Sequence, residues 1–408
     1  MRGFMSPFVR VFIPFSAGYL ISYLARVINA VAGDPISVEF GLTPGELGLL
    51  TSLYFFAFAL AQLPFGVLID KFGPRRVQAS LMLLAGAGSL LFAHASSFAE
   101  LSIARLIIGL GTATCLTASF TAYRLWFPSD RIPMINGLHM AAGSVGAFFG
   151  GTPTEALVQA LGWRGVFDVI AAATVLASFA TLLMVPRRDM QGSAPPMRQL
   201  LGELRDILSA KAFWRLCPVS STVQGVLLSV GSLWAGPWLR DAAGVSASGA
   251  AAWLSVIAIA LMIGFIGFGW LVQQAARGGR SSERVLIVGT LAFFVVQFLM
   301  IVLPPQTAAP LWLLYAMTGT VGVSCFAVLA PAFSRSASGR VNTALNFFVF
   351  VVAFLIQWLF GEFLDFFPAE GGGATARGYQ IGFALLLALQ VLSLLPLLLT
   401  RPPVPVED

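Results

Sequence analysis

Charge is what this chain of 408 residues has least of. Asp, Glu, Lys and Arg together make up 10% of it, against about 25% in soluble domains. A soluble chain of this length would divide into two or three domains, each needing a polar surface, and there are too few charges to cover them. Cysteine is as scarce, at 3 residues, and histidine at 2. Cys115, Cys217 and Cys325 fall in or beside apolar runs at wide spacing, which gives neither a disulfide framework nor a zinc pattern. Small core filler is their expected role. Disorder, collagen and coiled coil fail on the same composition. No nucleophile–base pair or metal cluster argues for an enzyme, and nothing calls for a cofactor. Basic patches interleaved with aromatics, which would meet nucleic acid, are also missing.

What is abundant is apolar surface, at 58% of residues. Unbroken runs such as Val285–Leu303 and Ile381–Leu399 match the roughly 20 residues that a helix needs to cross a bilayer. They do not alternate as barrel strands do. The run from about Phe8 to Ala32 is longer than a signal-peptide core and reads as the first span. Gly, Pro and charge punctuation then predicts twelve spans, at about 8–32, 45–69, 77–97, 99–125, 133–160, 165–185, 213–239, 249–275, 284–304, 310–334, 341–366 and 378–400. One long polar stretch, Pro186 to Ala212 with Pro195-Pro196 inside it, separates a six-span unit at 1–185 from another at 213–408. The expected fold class is therefore an all-α polytopic membrane protein, 186–212 being a cytoplasmic linker.

Lys and Arg collect in alternate loops. Lys71, Arg75, Arg76, Arg131, Arg187, Arg277, Arg280 and Arg335 fall on one side, and only Arg164, Arg240 and Arg377 on the other. By the positive-inside rule both termini are cytoplasmic, and the net charge of +6 reflects that bias. A multi-pass monomer of the inner (cytoplasmic) membrane, surrounded by lipid bilayer, is expected.

Thr43-Pro44-Gly45-Glu46 forms a capping box that starts the second span. That span ends in Gly66-Val67-Leu68-Ile69-Asp70-Lys71-Phe72-Gly73-Pro74-Arg75-Arg76, which resembles the loop between helices two and three of the major facilitator superfamily. Gly66, Leu68, Asp70, Gly73, Arg75 and Arg76 occupy all its fixed positions. Arg105-Leu-Ile-Ile-Gly109-Leu-Gly111 is similar to that superfamily's fourth-helix motif, and Gly162-Trp163-Arg164-Gly165-Val166-Phe167 to its turn after helix five. From Gly269 to Arg280 a degenerate copy of the loop motif appears, with Gln273 in the Asp place, as a duplicated six-helix unit should leave. The resemblance covers essentially the whole chain. It implies two six-helix bundles around a central cavity, alternating access, and a conformational role for Gly66, Asp70, Gly73, Arg75 and Arg76.

The span-five run Gly143-Ser-Val-Gly146-Ala147-Phe-Phe-Gly150-Gly151 resembles an antiporter motif, except that Ala147 replaces its proline. Close helix packing through small residues reads it as well. The near-match and the many aromatics leave efflux of amphipathic or cationic compounds as the alternative function.

Buried charge points elsewhere. Arg26 lies about 18 residues into span one, roughly 27 Å along a helix, where a cation normally faces a cavity or partner. Tyr23-Leu-Ala-Arg26 resembles the first-helix Tyr-x-x-Arg of the superfamily's organic-anion branch, the anion:cation symporters, as do Leu47–Ser52 and Gln62–Gly66. The resemblance implies that Arg26 holds a substrate carboxylate or phosphate, and a planar guanidinium suits that geometry. Arg105 is the second membrane arginine. The acids that carry protons beside these arginines in that branch are replaced by Ala25 and Thr112, so no proton carrier is evident. Anion exchange, facilitated diffusion and sodium coupling stay open. Tyr23, His139, Gln224, Trp234, Asn342 and Asn346 are further cavity candidates, with Asn342, Asn346 and, less closely, Gln357 on one helical face. Pro237, beside Trp234 and Trp238, marks an expected kink. The function expected is transport of a small organic anion with Arg26 as its charge anchor.

Overall fold

The computed structural model describes residues 7–128, 131–187, 197–278, 281–329, 332–333, 338–369 and 372–400. Among these the chain is mainly helical, its helices joined by short turns and loops, with one isolated bridge between Pro368 and Ala374. Eleven of the described helices are long and apolar enough to cross a membrane, which agrees with the all-α polytopic fold. Pro195-Pro196 of the linker, Arg280 and Arg335 lie outside the described residues.

In chain order the helices are α1 (Ile13–Val27), α2 (Asn29–Phe40), α3 (Pro44–Phe72), α4 (Pro74–Ala93), α5 (Phe98–Thr112), α6 (Thr117–Trp126), α7 (Ile132–Phe149) and α8 (Thr152–Met184). Then follow α9 (Met197–Ser209), α10 (Lys211–Ser229), α11 (Ala235–Pro237), α12 (Ala247–Arg277), α13 (Ser282–Val302), α14 (Pro305–Ala308), α15 (Leu311–Gly319), α16 (Ser324–Leu329), α17 (Ser338–Leu364) and α18 (Ala376–Leu399).

Departures from the predicted spans have local causes. Beyond the first span the helix continues through α2 as far as Phe40 and stops at Gly41, whose φ of 65° closes the helix end as glycine readily does. The predicted fifth span is cut after Phe149 by Gly150-Gly151, and its remainder runs into the sixth across Gly162, with φ 70°. Beside Pro237 the helix winds as π-turns over Val230–Trp234 and Trp238–Ala242. The start of α3 is as read: Thr43 N–H donates to Glu46 Oε2 at 3.0 Å and Glu46 N–H returns to Thr43 Oγ1 at 3.2 Å.

Contacts group the chain into two units. One comprises 1–42, 53–194 and 251–255; the other comprises 43–52, 195–250 and 256–408. In the first, α1 packs on α7 and α4 on α8 and α5, with an aromatic cluster of Phe12, Phe15 and Tyr123 near the start of α1. In the second, α10 packs on α17 and α18, and α13 on α15. There Arg215 is held from five directions. It meets both Glu283 oxygens at 2.7 and 2.9 Å, the Leu397 carbonyl at 3.0 Å, and the Thr400 carbonyl and hydroxyl.

Candidate substrate-binding site

Arg26 sits on the last turn of α1 and is 6% exposed. Rings surround it: its guanidinium carbon lies 4.6 Å from the Tyr23 ring centre, 5.4 Å from Phe58 and 5.8 Å from Tyr54. Such cation–π contacts strengthen once water is excluded. The tyrosines are themselves fixed. Tyr54 donates to the Ser22 carbonyl at 3.0 Å and accepts from Thr112 Oγ1 at 3.0 Å. Thr112, standing where the related branch has an acid, thus supplies a neutral hydroxyl to the cage.

Arg105 takes a different post. It is fully buried in α5, beside the packed rings of Phe92 at 5.2 Å and Phe167 at 5.8 Å, and its Nη1 donates to the Ala25 carbonyl at 2.9 Å. Nε and Nη2 make no hydrogen bond among the described residues. Since Ala25 immediately precedes Arg26, the arrangement braces the backbone that carries the first arginine.

His139 lies behind the same cage. Its Nδ1 is 2.9 Å from the Tyr123 hydroxyl and 3.2 Å from Ser16 Oγ, while its ring stacks on Tyr19 at 4.5 Å. Tyr19 in turn meets Tyr23 edge-on at 5.7 Å. A continuous run of rings therefore links His139 to Arg26. Glycines make it possible: a Cβ on Gly143 would come 2.5 Å from Tyr19, and one on Gly146 would come 2.2 Å from the Leu20 carbonyl.

The remaining candidates lie in the other unit. Gln224 donates to Ser220 Oγ at 2.8 Å and to the Gly322 carbonyl at 3.2 Å. Trp234 donates to the Gln357 carbonyl at 3.2 Å and packs on Phe360. Asn342 and Asn346 are half-buried. The amide of Gln357 is fully buried and makes no hydrogen bond among the described residues. No hydrogen bond joins Gln224 to Trp234, Asn342 or Asn346 among the described residues. The structure thus gathers Arg26, Tyr23, Arg105 and His139 and leaves these four as separate positions.

Sequence reasoning missed Tyr19, Tyr54, Ser22 and Phe58. A signal existed, since four of the chain's 6 tyrosines, Tyr19, Tyr23, Tyr54 and Tyr123, belong to this one unit.

At the α3–α4 loop, Gly73 turns the chain with φ 80°, and Arg75 Nη2 donates to the Leu182 carbonyl. Beyond α1, Glu39 accepts from Trp163 Nε1 at 2.8 Å and pairs with Arg164, which also donates to the Ala93 and Ala95 carbonyls. The indole hydrogen bond first, and then Arg164, hold the Glu39 carboxyl below its ordinary value.

Membrane-length helices that hold a caged arginine have the form of a membrane carrier. The chain belongs to the Major Facilitator Superfamily, whose family model matches residues 15–357. Among curated relatives, "Uncharacterized transporter YybO" of Bacillus subtilis is 28% identical, with 91% of this chain and 89% of that protein covered. The "Probable L-galactonate transporter" of Escherichia coli is 23% identical, covering 85% and 81%. A solved structure described as a bacterial homolog of the human lysosomal transporter Spinster, inward-facing and occupied, superposes with a TM-score of 0.79 at 18% identity. It covers 97% of each chain. The likeness establishes a shared fold.

Proposed function

We propose that this protein is a secondary active or facilitative transporter that moves a small organic anion across the inner membrane by alternating access. Two six-helix bundles, 1–185 and 213–408, would be its moving parts, with both termini in the cytoplasm. The observation that carries the reading is the Arg26 cage: a permanently charged guanidinium held among Tyr23, Tyr54 and Phe58. An oxyanion entering there gains a bidentate, charge-assisted partner in a site shielded from water. The name of the Escherichia coli relative, which specifies a sugar-acid carboxylate, supports the same class. Tyr23 supplies the ring wall, and Arg105 positions the Arg26 backbone through Ala25. Gln224, Trp234, Asn342 and Asn346 are proposed to line the path in the second bundle, with His139 supporting Tyr19 and Tyr23. Gly66, Asp70, Gly73, Arg75 and Arg76 shape the loop that moves during the cycle.

The test is counterflow of L-galactonate and of a panel of carboxylates, phosphates and sulfonates in proteoliposomes. Arg26→Gln should abolish saturable uptake while the purified variant stays folded and monodisperse. Normal transport by that variant would remove Arg26 as the anchor. Drug resistance conferred on a sensitive host, with no counterflow of any anion, would favour the efflux alternative.

A further inference from the structure

The loop between α3 and α4 holds more positive charge than turning the chain requires. Around Gly73, the end of α3, the start of α4, the end of α6 and Val185–Arg187 after α8 enclose a cavity of about 200 Å³. Lys71, Arg75, Arg76 and Arg187 line it, against one acid, Asp70. Arg75 is committed on one side to the Leu182 carbonyl. Its Nε is buried and makes no hydrogen bond among the described residues, and both Arg187 and Arg76 repel it. Cations gathered around a concave space lower their mutual repulsion by taking an anion. The start of α4 adds the positive end of a helix dipole.

The surroundings indicate where that anion comes from. Phe72 is 48% exposed at the rim, with Lys71 Nζ 5.2 Å from its ring centre, and Trp126 forms part of the wall. Aromatic rings and cations side by side at a helix end suit the headgroup level of a bilayer. Basic pockets between spans are suited to anionic headgroups. A hydrated free ion has no use for the rings, whereas a phospholipid can set its phosphate among the cations and its glycerol and chains against Phe72 and Trp126. We propose that this cavity binds the phosphate of an anionic phospholipid of the phosphatidylglycerol type, with Lys71, Arg76 and Arg187 around it. The site is distinct from the Arg26 cage and does not depend on which solute the protein carries.

The experiment uses delipidated full-length protein and the Lys71→Gln/Arg187→Gln double variant, both of whose side chains are exposed. Retained lipid is measured by native mass spectrometry at equal phosphatidylglycerol and phosphatidylcholine, and melting temperature in nanodiscs of each lipid. The parent protein should retain phosphatidylglycerol in preference and melt higher in it. Each cation removed should lower that preference about fivefold, from roughly 1 kcal/mol per cation at a membrane surface. Melting of both proteins in phosphatidylcholine alone reports whether the variant is folded, and Arg187→Gln by itself serves if the double variant is not. Equal retention of the two lipids by the parent, or an undiminished preference in the folded variant, would overturn the proposal. Inorganic phosphate is the second arm. Displacement of the bound lipid by phosphate supports phosphate recognition at this site, whereas stabilisation by phosphate without any lipid preference would overturn the lipid source.

Discussion

Arg105 and Arg26 are chemically identical and yet are used differently, because of what each can reach. Arg105 lies against the paired rings of Phe92 and Phe167 with one donor on Ala25 O, so its planar shape matters as well as its charge. Lysine offers a compact point charge in place of that planar, delocalised group. Arg105→Lys should therefore lower the melting temperature and weaken uptake roughly tenfold, the loss of one charge-assisted hydrogen bond being about 1.5–3 kcal/mol. Melting curves and uptake kinetics on the same preparation check it. An unchanged melting temperature with a raised KM would instead mean that Arg105 touches the substrate itself. Both arginines were legible in the sequence because a cation inside an apolar run stands out. Their cage was not: a tyrosine or phenylalanine in such a run looks like core packing. Tyr54 and Thr112 reach Ser22 across 32 and 90 residues of chain, and no local pattern encodes that meeting.

The helices show the same division between what is encoded locally and what is set by neighbours. The apolar runs were readable because hydropathy is a property of each segment; of the twelve expected, eleven helices of membrane length and apolarity stand among the described residues. Their breaks at Gly150-Gly151 and Gly162 were partly readable from glycine itself. The π-turns flanking Pro237 were not, since the proline predicts a kink and not how the backbone absorbs it. The glycine run of α7 could be read as packing or as a transport motif, and the geometry supplies a reason for the packing. A Cβ at Gly146 would fall 2.2 Å from the Leu20 carbonyl, while one at Gly137 on the same helix meets nothing within 4 Å. Gly146→Ala must therefore push α7 away from α1 and disturb Tyr19 and Tyr23. It is expected to cost about 1–3 kcal/mol and to reduce uptake. Gly137→Ala should be neutral or stabilising by up to about 1 kcal/mol, because alanine is the better helix former. Thermal melts of the pair check this, and equal losses in both variants would contradict the packing argument.

At the scale of the whole molecule, few charges mean that each unit concentrates its ionic contacts, and the two units do so in different surroundings. In the second, Arg215 and Glu283 have side chains 4% and 16% exposed. Replacing Glu283 with Gln leaves a buried guanidinium short of its counter-charge, a loss of about 3–5 kcal/mol. In the first, Glu39 and Arg164 are far more exposed, at 43% and 37%, so solvent and salt screen the pair. Trp163 adds a hydrogen bond that is strongest to the ionised carboxylate. The sign follows from the depressed proton affinity of Glu39. The folded state binds that proton less readily than the unfolded chain, so stability is fully present above the ordinary glutamate value near 4.5. It is lost as pH falls through the lower folded value. Melting of the parent protein should accordingly decline below about pH 4.5, while Glu39→Gln should start lower and show a shallower decline over that window. High salt should narrow the difference between the two at neutral pH. Parallel acid profiles for parent and variant, measured in the same detergent from pH 3 to 7, would show that the Glu39 contact contributes nothing to the fold.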